Sequence, residues 1–119
     1  MSGRHSREKG RRFELEVCHR IEDATGQKAV RVLSEARDGN SGDIDCPTLP
    51  ISWQAKCGAR PDIYGAVKEA QAVADPKGLY AVAVVKRSGA GQRKPDELAV
   101  LPLADFLEIV KSLKDLGIW

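Results

Sequence analysis

Between Gly42 and Gly58 the chain reads GDIDCPTLPISWQAKCG, with acidic, amide and ammonium side chains at spacings suited to a divalent cation beside a phosphodiester. In Ile51-Ser52-Trp53-Gln54-Ala55-Lys56 apolar and polar residues alternate, the period of a half-buried strand. Ile51, Trp53 and Ala55 then point into a core. Ser52, Gln54 and Lys56 project from the opposite face, with Gln54 and Lys56 roughly 7 Å apart. Asp43 and Asp45 share one side of a shorter strand, with Ile44 on the other. Carboxylates, an amide oxygen and an ammonium beside one sheet supply what hydrated Mg²⁺ and a phosphodiester require.

Such residues need a sheet and its helices to hold them. A helical pattern spans residues 11 to 24, where Phe13, Val17, Ile21 and Ala24 recur every three or four positions and Thr25-Gly26 provides the stop. Glu14 falls inside that apolar arc. A carboxylate turned toward a core needs a partner, because burying an unpaired charge costs several kcal/mol. Either an arginine such as Arg31 pairs with it, or it faces a metal. Strands are expected at 28–33, 43–46, 51–57, 79–85 and 97–101. The second and third form a hairpin around residues 47–50. The fourth, LYAVAVV, is apolar throughout and suits a central strand covered on both faces. Helices are expected from Pro61 to about residue 74, with Ile63, Val67, Ala70 and Ala74 as its stripe, and over 103–116, with Phe106, Leu107, Val110 and Leu113 inward. Residues 34–42 and 88–94 are turn-rich loops, and the latter lacks the spacing of a phosphate-binding P-loop. The result is an α/β domain of order αβββαββα, a mixed central sheet flanked by helices.

At 119 residues the chain is expected to be one domain, 11–119, preceded by a flexible basic arm over residues 1–10. No apolar run approaches the roughly 20 residues that cross a bilayer, and no hydrophobic segment follows the basic start. Three cysteines without CxxC spacing argue against a disulfide framework or a structural zinc site, so Cys18-His19 and His5 read as a core thiol and surface histidines. The reducing cytoplasm is the expected location. The net charge of +2 conceals +4 within the first twelve residues, where Arg4, Arg7, Lys9, Arg11 and Arg12 face only Glu8. A second basic island holds Lys77, Lys86, Arg87, Arg93 and Lys94. Basic segments on a near-neutral body suit a phosphate backbone, or simply a solvated surface.

In sequence order these features resemble the PD-(D/E)xK nuclease superfamily: Gly10 followed by Glu14 on a helix, Arg31 on a strand, a loop, Gly42-Asp43-Ile44, Gln54-Ala55-Lys56 on the next strand, then a helix. The compactness and the G-x-x-x-E helix are most similar to archaeal-type and phage-encoded Holliday junction resolvases, over about residues 10–107. The stretches AVAVVKR and AVLPLADFL are similar to small phage nucleases of that group. The resemblance implies a restriction-endonuclease-like core and a magnesium-dependent endodeoxyribonuclease, with Mn²⁺ substituting. It implies a homodimer that cuts four-way DNA junctions in pairs during recombination and repair, in a bacterial, archaeal or phage-infected cell. It assigns Glu14, Asp43, Gln54 and Lys56 to catalysis, and Glu14, Asp43, Gln54 and the Ala55 carbonyl to the metal. Arg31 and Ser34, or alternatively Ser41, fall near the scissile phosphate. Arg4, Arg7, Lys9, Arg11, Arg12, Lys86, Arg87, Arg93 and Lys94 are the expected DNA contacts.

One position departs from the family, which has Glu or Asp where this chain has Gln54. Its amide oxygen can coordinate a hard cation but adds no charge. Asp45, or Glu69 on the following helix, can restore a carboxylate; otherwise the chain is a weakened enzyme. Three other readings remain: a nicking or flap-cleaving nuclease, a DNA-binding module without catalysis, and an RNA-binding arm, the last poorly served by so few aromatics. Ile118 and Trp119 suit either a dimer seam or packing onto the body.

Overall fold

The computed structural model describes residues 3–33, 42–89 and 96–119, with side chains from Arg7 onward. Its elements are α1 (Gly3–Thr25), β1 (Val30–Arg31), β2 (Ile44–Asp45), β3 (Ile51–Gly58), α2 (Ile63–Lys77), β4 (Tyr80–Arg87), β5 (Glu97–Val100) and α3 (Leu103–Asp115). The order is the αβββαββα read from the sequence. The five strands form one mixed sheet in the order β1-β2-β3-β4-β5. Only β3 and β4 are parallel, and α2 makes the crossover that a parallel pair requires.

The β3–β4 register divides the two faces of the sheet. Ser52, Gln54 and Lys56 lie beside Ala81, Ala83 and Val85, while Trp53, Ala55 and Cys57 lie beside Val82, Val84 and Lys86. Helix α1 covers the second face, where Phe13, Val17, Cys18 and Ile21 pack with Ile44, Trp53, Ala55 and Val84. Helix α2 covers the first with Ala66, Ala70 and Ala74, each fully buried. Alanine at every fourth position lets the helix backbone approach the sheet closely.

Several boundaries differ from expectation. Helix α1 begins at Gly3, so the stretch expected as a flexible arm forms its first turns. Arg, Glu and Lys sustain a helix well, but an all-polar segment buries no stripe and so shows no period. Helix α2 begins at Ile63, capped by Asp62, whose Oδ1 accepts from the Gly65 N–H at 2.9 Å; Pro61 precedes the cap. It continues through Pro76 to a left-handed Gly78. The β1 ladder covers only two residues.

The largest correction concerns α3. Phe106 and Leu107 are exposed rather than inward, Val110 and Leu113 are only half-buried, and no residue of the helix is buried. An amphipathic stripe states what a helix can bury, not what stands opposite it. Asp105 ties the first turn to the sheet, its Oδ2 accepting from the Ala81 N–H at 3.0 Å. Among the described residues no helix is long and apolar enough to cross a membrane.

The alanine stripe of α2 yields a stability contrast. Ala70→Leu is expected to cost about 1–3 kcal/mol by overpacking, while exposed Ala72→Leu stays within about 0.5 kcal/mol of the parent in chemical denaturation.

Candidate active site

Asp43 stands where β2 leaves β3. Its N–H donates to the Trp53 carbonyl at 2.9 Å, and its own carbonyl accepts from Val32 N–H at 2.9 Å. The backbone is thus held between β1 and β3. Its Oδ2 accepts from the Ala55 N–H at 2.9 Å, which sets a buried carboxylate against the strand segment between Gln54 and Lys56. Gly42 makes this approach possible, since a Cβ there would collide with the Trp53 carbonyl oxygen.

On the α2 face, Gln54 Nε2 donates to Glu69 Oε2 at 2.9 Å, and Lys56 Nζ lies 3.7 Å from Glu69 Oε1. One carboxylate on the second turn of α2 therefore gathers both polar side chains of β3. The Lys56 and Glu69 side chains are 38% and 52% exposed, so their ion pair contributes only about 0–1 kcal/mol to folding. Ser52, further along the same face, is buried, and its hydroxyl has no hydrogen-bond partner among the described residues.

Glu14 belongs to the other face. It is buried on α1, and its Oε1 accepts from Arg31 Nε at 2.8 Å. The two side chains are only 10% and 16% exposed. Of the two partners open to this carboxylate, the structure supplies the arginine. Arg31 pairs with Ile44, which turns into the α1 core, so the guanidinium meets Glu14 on that side of the sheet. Around β3 the structure joins Asp43 to the Ala55 N–H and Glu69 to Gln54 and Lys56, while Glu14 and Arg31 join each other beside the α1 core.

The remaining expected residues divide as follows. Asp45 is exposed at the end of β2, across from Val30. Ser34, Ser41, Arg93 and Lys94 lie outside the described residues, as do the side chains of Arg4 and His5. Arg7, Lys9, Arg11 and Arg12 are exposed along α1, and Arg87 is exposed at the end of β4. Lys86 is held 3.5 Å from Glu16 and 3.9 Å from Glu97, with its Nζ 6.0 Å from the Phe13 ring centroid. All three cysteines are free. Burial pushes the Cys18 thiol up, reinforced by the Glu22 and Glu14 carboxylates, and burial also raises Cys57 against the pull of Lys9 and Lys86. Among the described residues, no three His, Cys, Asp or Glu side chains converge to hold one metal ion.

Two features were not foreseen in the sequence. The unpartnered Ser52 hydroxyl carries no spacing signal. The grouping of Lys9, Arg12, Lys86 and Ser88 around one recess joins the first helix to the far end of β4. The sequence offers Lys9, Arg12 and Lys86 as DNA contacts in two separate basic segments, but nothing in it places those segments side by side. No family model, curated protein or solved structure matches the chain.

The buried Glu14–Arg31 pair has a consequence for stability. Glu14→Gln is expected to lower stability by about 1–3 kcal/mol, measured by denaturant titration.

Proposed function

We propose that this chain is a small metal-dependent DNA endonuclease with a restriction-endonuclease-like core, hydrolysing phosphodiesters in branched DNA and, as a homodimer, making paired cuts at four-way junctions. The observation that carries the reading is the joining of Gln54 and Lys56 by Glu69 on the strand that Asp43 touches at Ala55. The αβββαββα order and the parallel β3-α2-β4 unit support it, as do the cationic side chains along α1.

The donor set suits Mg²⁺ or Mn²⁺. Asp43 and Glu69 would contribute carboxylates, and Gln54 and the Ala55 carbonyl would contribute neutral oxygens. Mg²⁺ characteristically takes one or two carboxylates and retains water. Glu69 thus restores the charge that glutamine at position 54 lacks. Glu14, engaged with Arg31, has a positioning role. A bound ion supplies polarisation of the phosphoryl oxygens and a more acidic water.

Lys56 orients the attacking water through Nζ and offsets the charge that builds on the phosphoryl oxygens. Attack in line forms the new P–O bond and breaks the bond to the 3′ oxygen, giving a 5′-phosphate and a 3′-hydroxyl. The attacking water loses its proton to solvent, and the leaving oxygen takes one from solvent. A dimer spaces two such sites for a symmetric junction, and the exposed Leu103, Phe106, Leu107, Ile118 and Trp119 offer apolar surface for it.

Cleavage of a four-way junction, linear duplex, nicked duplex and flap, each with Mg²⁺ or with chelator, tests the reading. Junction cleavage is expected in Mg²⁺ only. Asp43→Asn and Lys56→Ala are expected to reduce it by about 100-fold or more, and Glu69→Gln by about tenfold or more. Junction binding without cleavage of any substrate would instead identify a non-catalytic DNA-binding module.

A further inference from the structure

We propose that the recess between the first half of α1 and the carboxyl ends of β3 and β4 is a subsite for a DNA backbone phosphate neighbouring the one handled at Lys56. The inference rests on the nuclease reading for its ligand. The recess measures about 260 Å³, and Lys9, Arg12, Lys86, Glu16, Cys57 and Ser88 contribute to its walls. Three cations and one carboxylate line it. Lys86 is already held between that carboxylate, Glu16, and Glu97 outside the walls, which leaves Lys9 and Arg12 as the excess charge. Lys9 and Arg12 are exposed and make no side-chain ion pair among the described residues.

The wall has a second feature that points to an acceptor ligand. The Ser88 hydroxyl is buried without a hydrogen-bond partner among the described residues, although its backbone N–H is anchored to the Gly58 carbonyl at 2.8 Å. An unsatisfied buried hydroxyl is unfavourable. Ser88 lines the recess, so its hydroxyl is a donor available to an oxygen entering there.

Position favours a polynucleotide over a free anion. Cys57, in the wall, directly follows Lys56, so the recess and the Gln54–Lys56–Glu69 cluster occupy opposite faces of one strand end. The carboxyl ends of parallel strands are where open α/β sheets take ligands. A DNA strand crossing the ends of β3 and β4 passes both features. Contacts of this kind set register and orientation on the backbone and read no sequence.

The test is binding rather than turnover. A fluorescein-labelled duplex and a labelled four-way junction are titrated by anisotropy in chelator at several salt concentrations, with inorganic phosphate as a competitor. Lys9→Ala/Arg12→Ala is expected to weaken both DNAs by about tenfold and to reduce the magnitude of the salt slope by about 1–2. Ser88→Ala is expected to weaken them about twofold to threefold with an unchanged slope. Lys111→Ala/Lys114→Ala, which removes the same charge from α3, is expected to leave affinity within about twofold.

Parental affinity and slope in Lys9→Ala/Arg12→Ala, or an equal loss in the α3 control, would overturn the subsite. Millimolar inorganic phosphate displacing DNA from the parent but not from the double variant would support it. Because no cleavage is read, failure of the nuclease reading appears separately, as intact DNA binding with no Mg²⁺-dependent product.

Discussion

The hydrogen bond from the Ala55 N–H to the Asp43 carboxylate is the constraint on which the candidate site depends. Strand β3 is central, so its backbone groups must find partners away from water. Beyond the short β2 ladder, the Asp43 side chain takes the place of a neighbouring strand and satisfies the Ala55 amide. The same bond fixes a carboxylate against the one segment of β3 that carries both an amide and an ammonium. Gly42 is part of the device, because any larger residue would push the backbone away from the Trp53 carbonyl.

The sheet then divides the polar groups by face and by exposure. On the α1 side, Glu14 and Arg31 form a largely dry ion pair inside an apolar layer of Phe13, Val17 and Ile44. Removing either partner there leaves charge in a poor solvent, so the pair acts as an internal constraint. On the α2 side, Glu69 gathers Gln54 and Lys56 in a solvent-accessible cluster that contributes little to folding. Exposed, exchangeable partners can be given up to a ligand at small cost, whereas the buried pair cannot.

Much of the architecture was legible because it follows from periodicity. The alternation of ISWQAK, the unbroken LYAVAVV and the stripe of Phe13, Val17 and Ile21 each specified an element and the face it buries. Where no apolar pattern exists, as in the basic turns before Arg11, the helix was invisible. Partner choice was less legible still. The burial of Glu14 could be read from its place on the helical wheel, but its pairing with Arg31 depends on which face of β1 the guanidinium leaves. Glu69 was recognisable as an acid able to compensate for Gln54, yet only the packing of α2 across β3 brings it there. The stripe on α3 was read correctly as apolar and wrongly as inward, because amphipathicity carries no information about the opposing surface.

The central claim, that a divalent ion binds on the α2 face of β3 between Asp43 and Glu69, is tested most directly by paramagnetic broadening in amide NMR spectra titrated with Mn²⁺. The amides of Asp43, Ala55 and Glu69 should broaden first, and Mg²⁺ should reverse the effect. First broadening around Glu14 and Arg31, or uniform weak broadening across the surface, would contradict it.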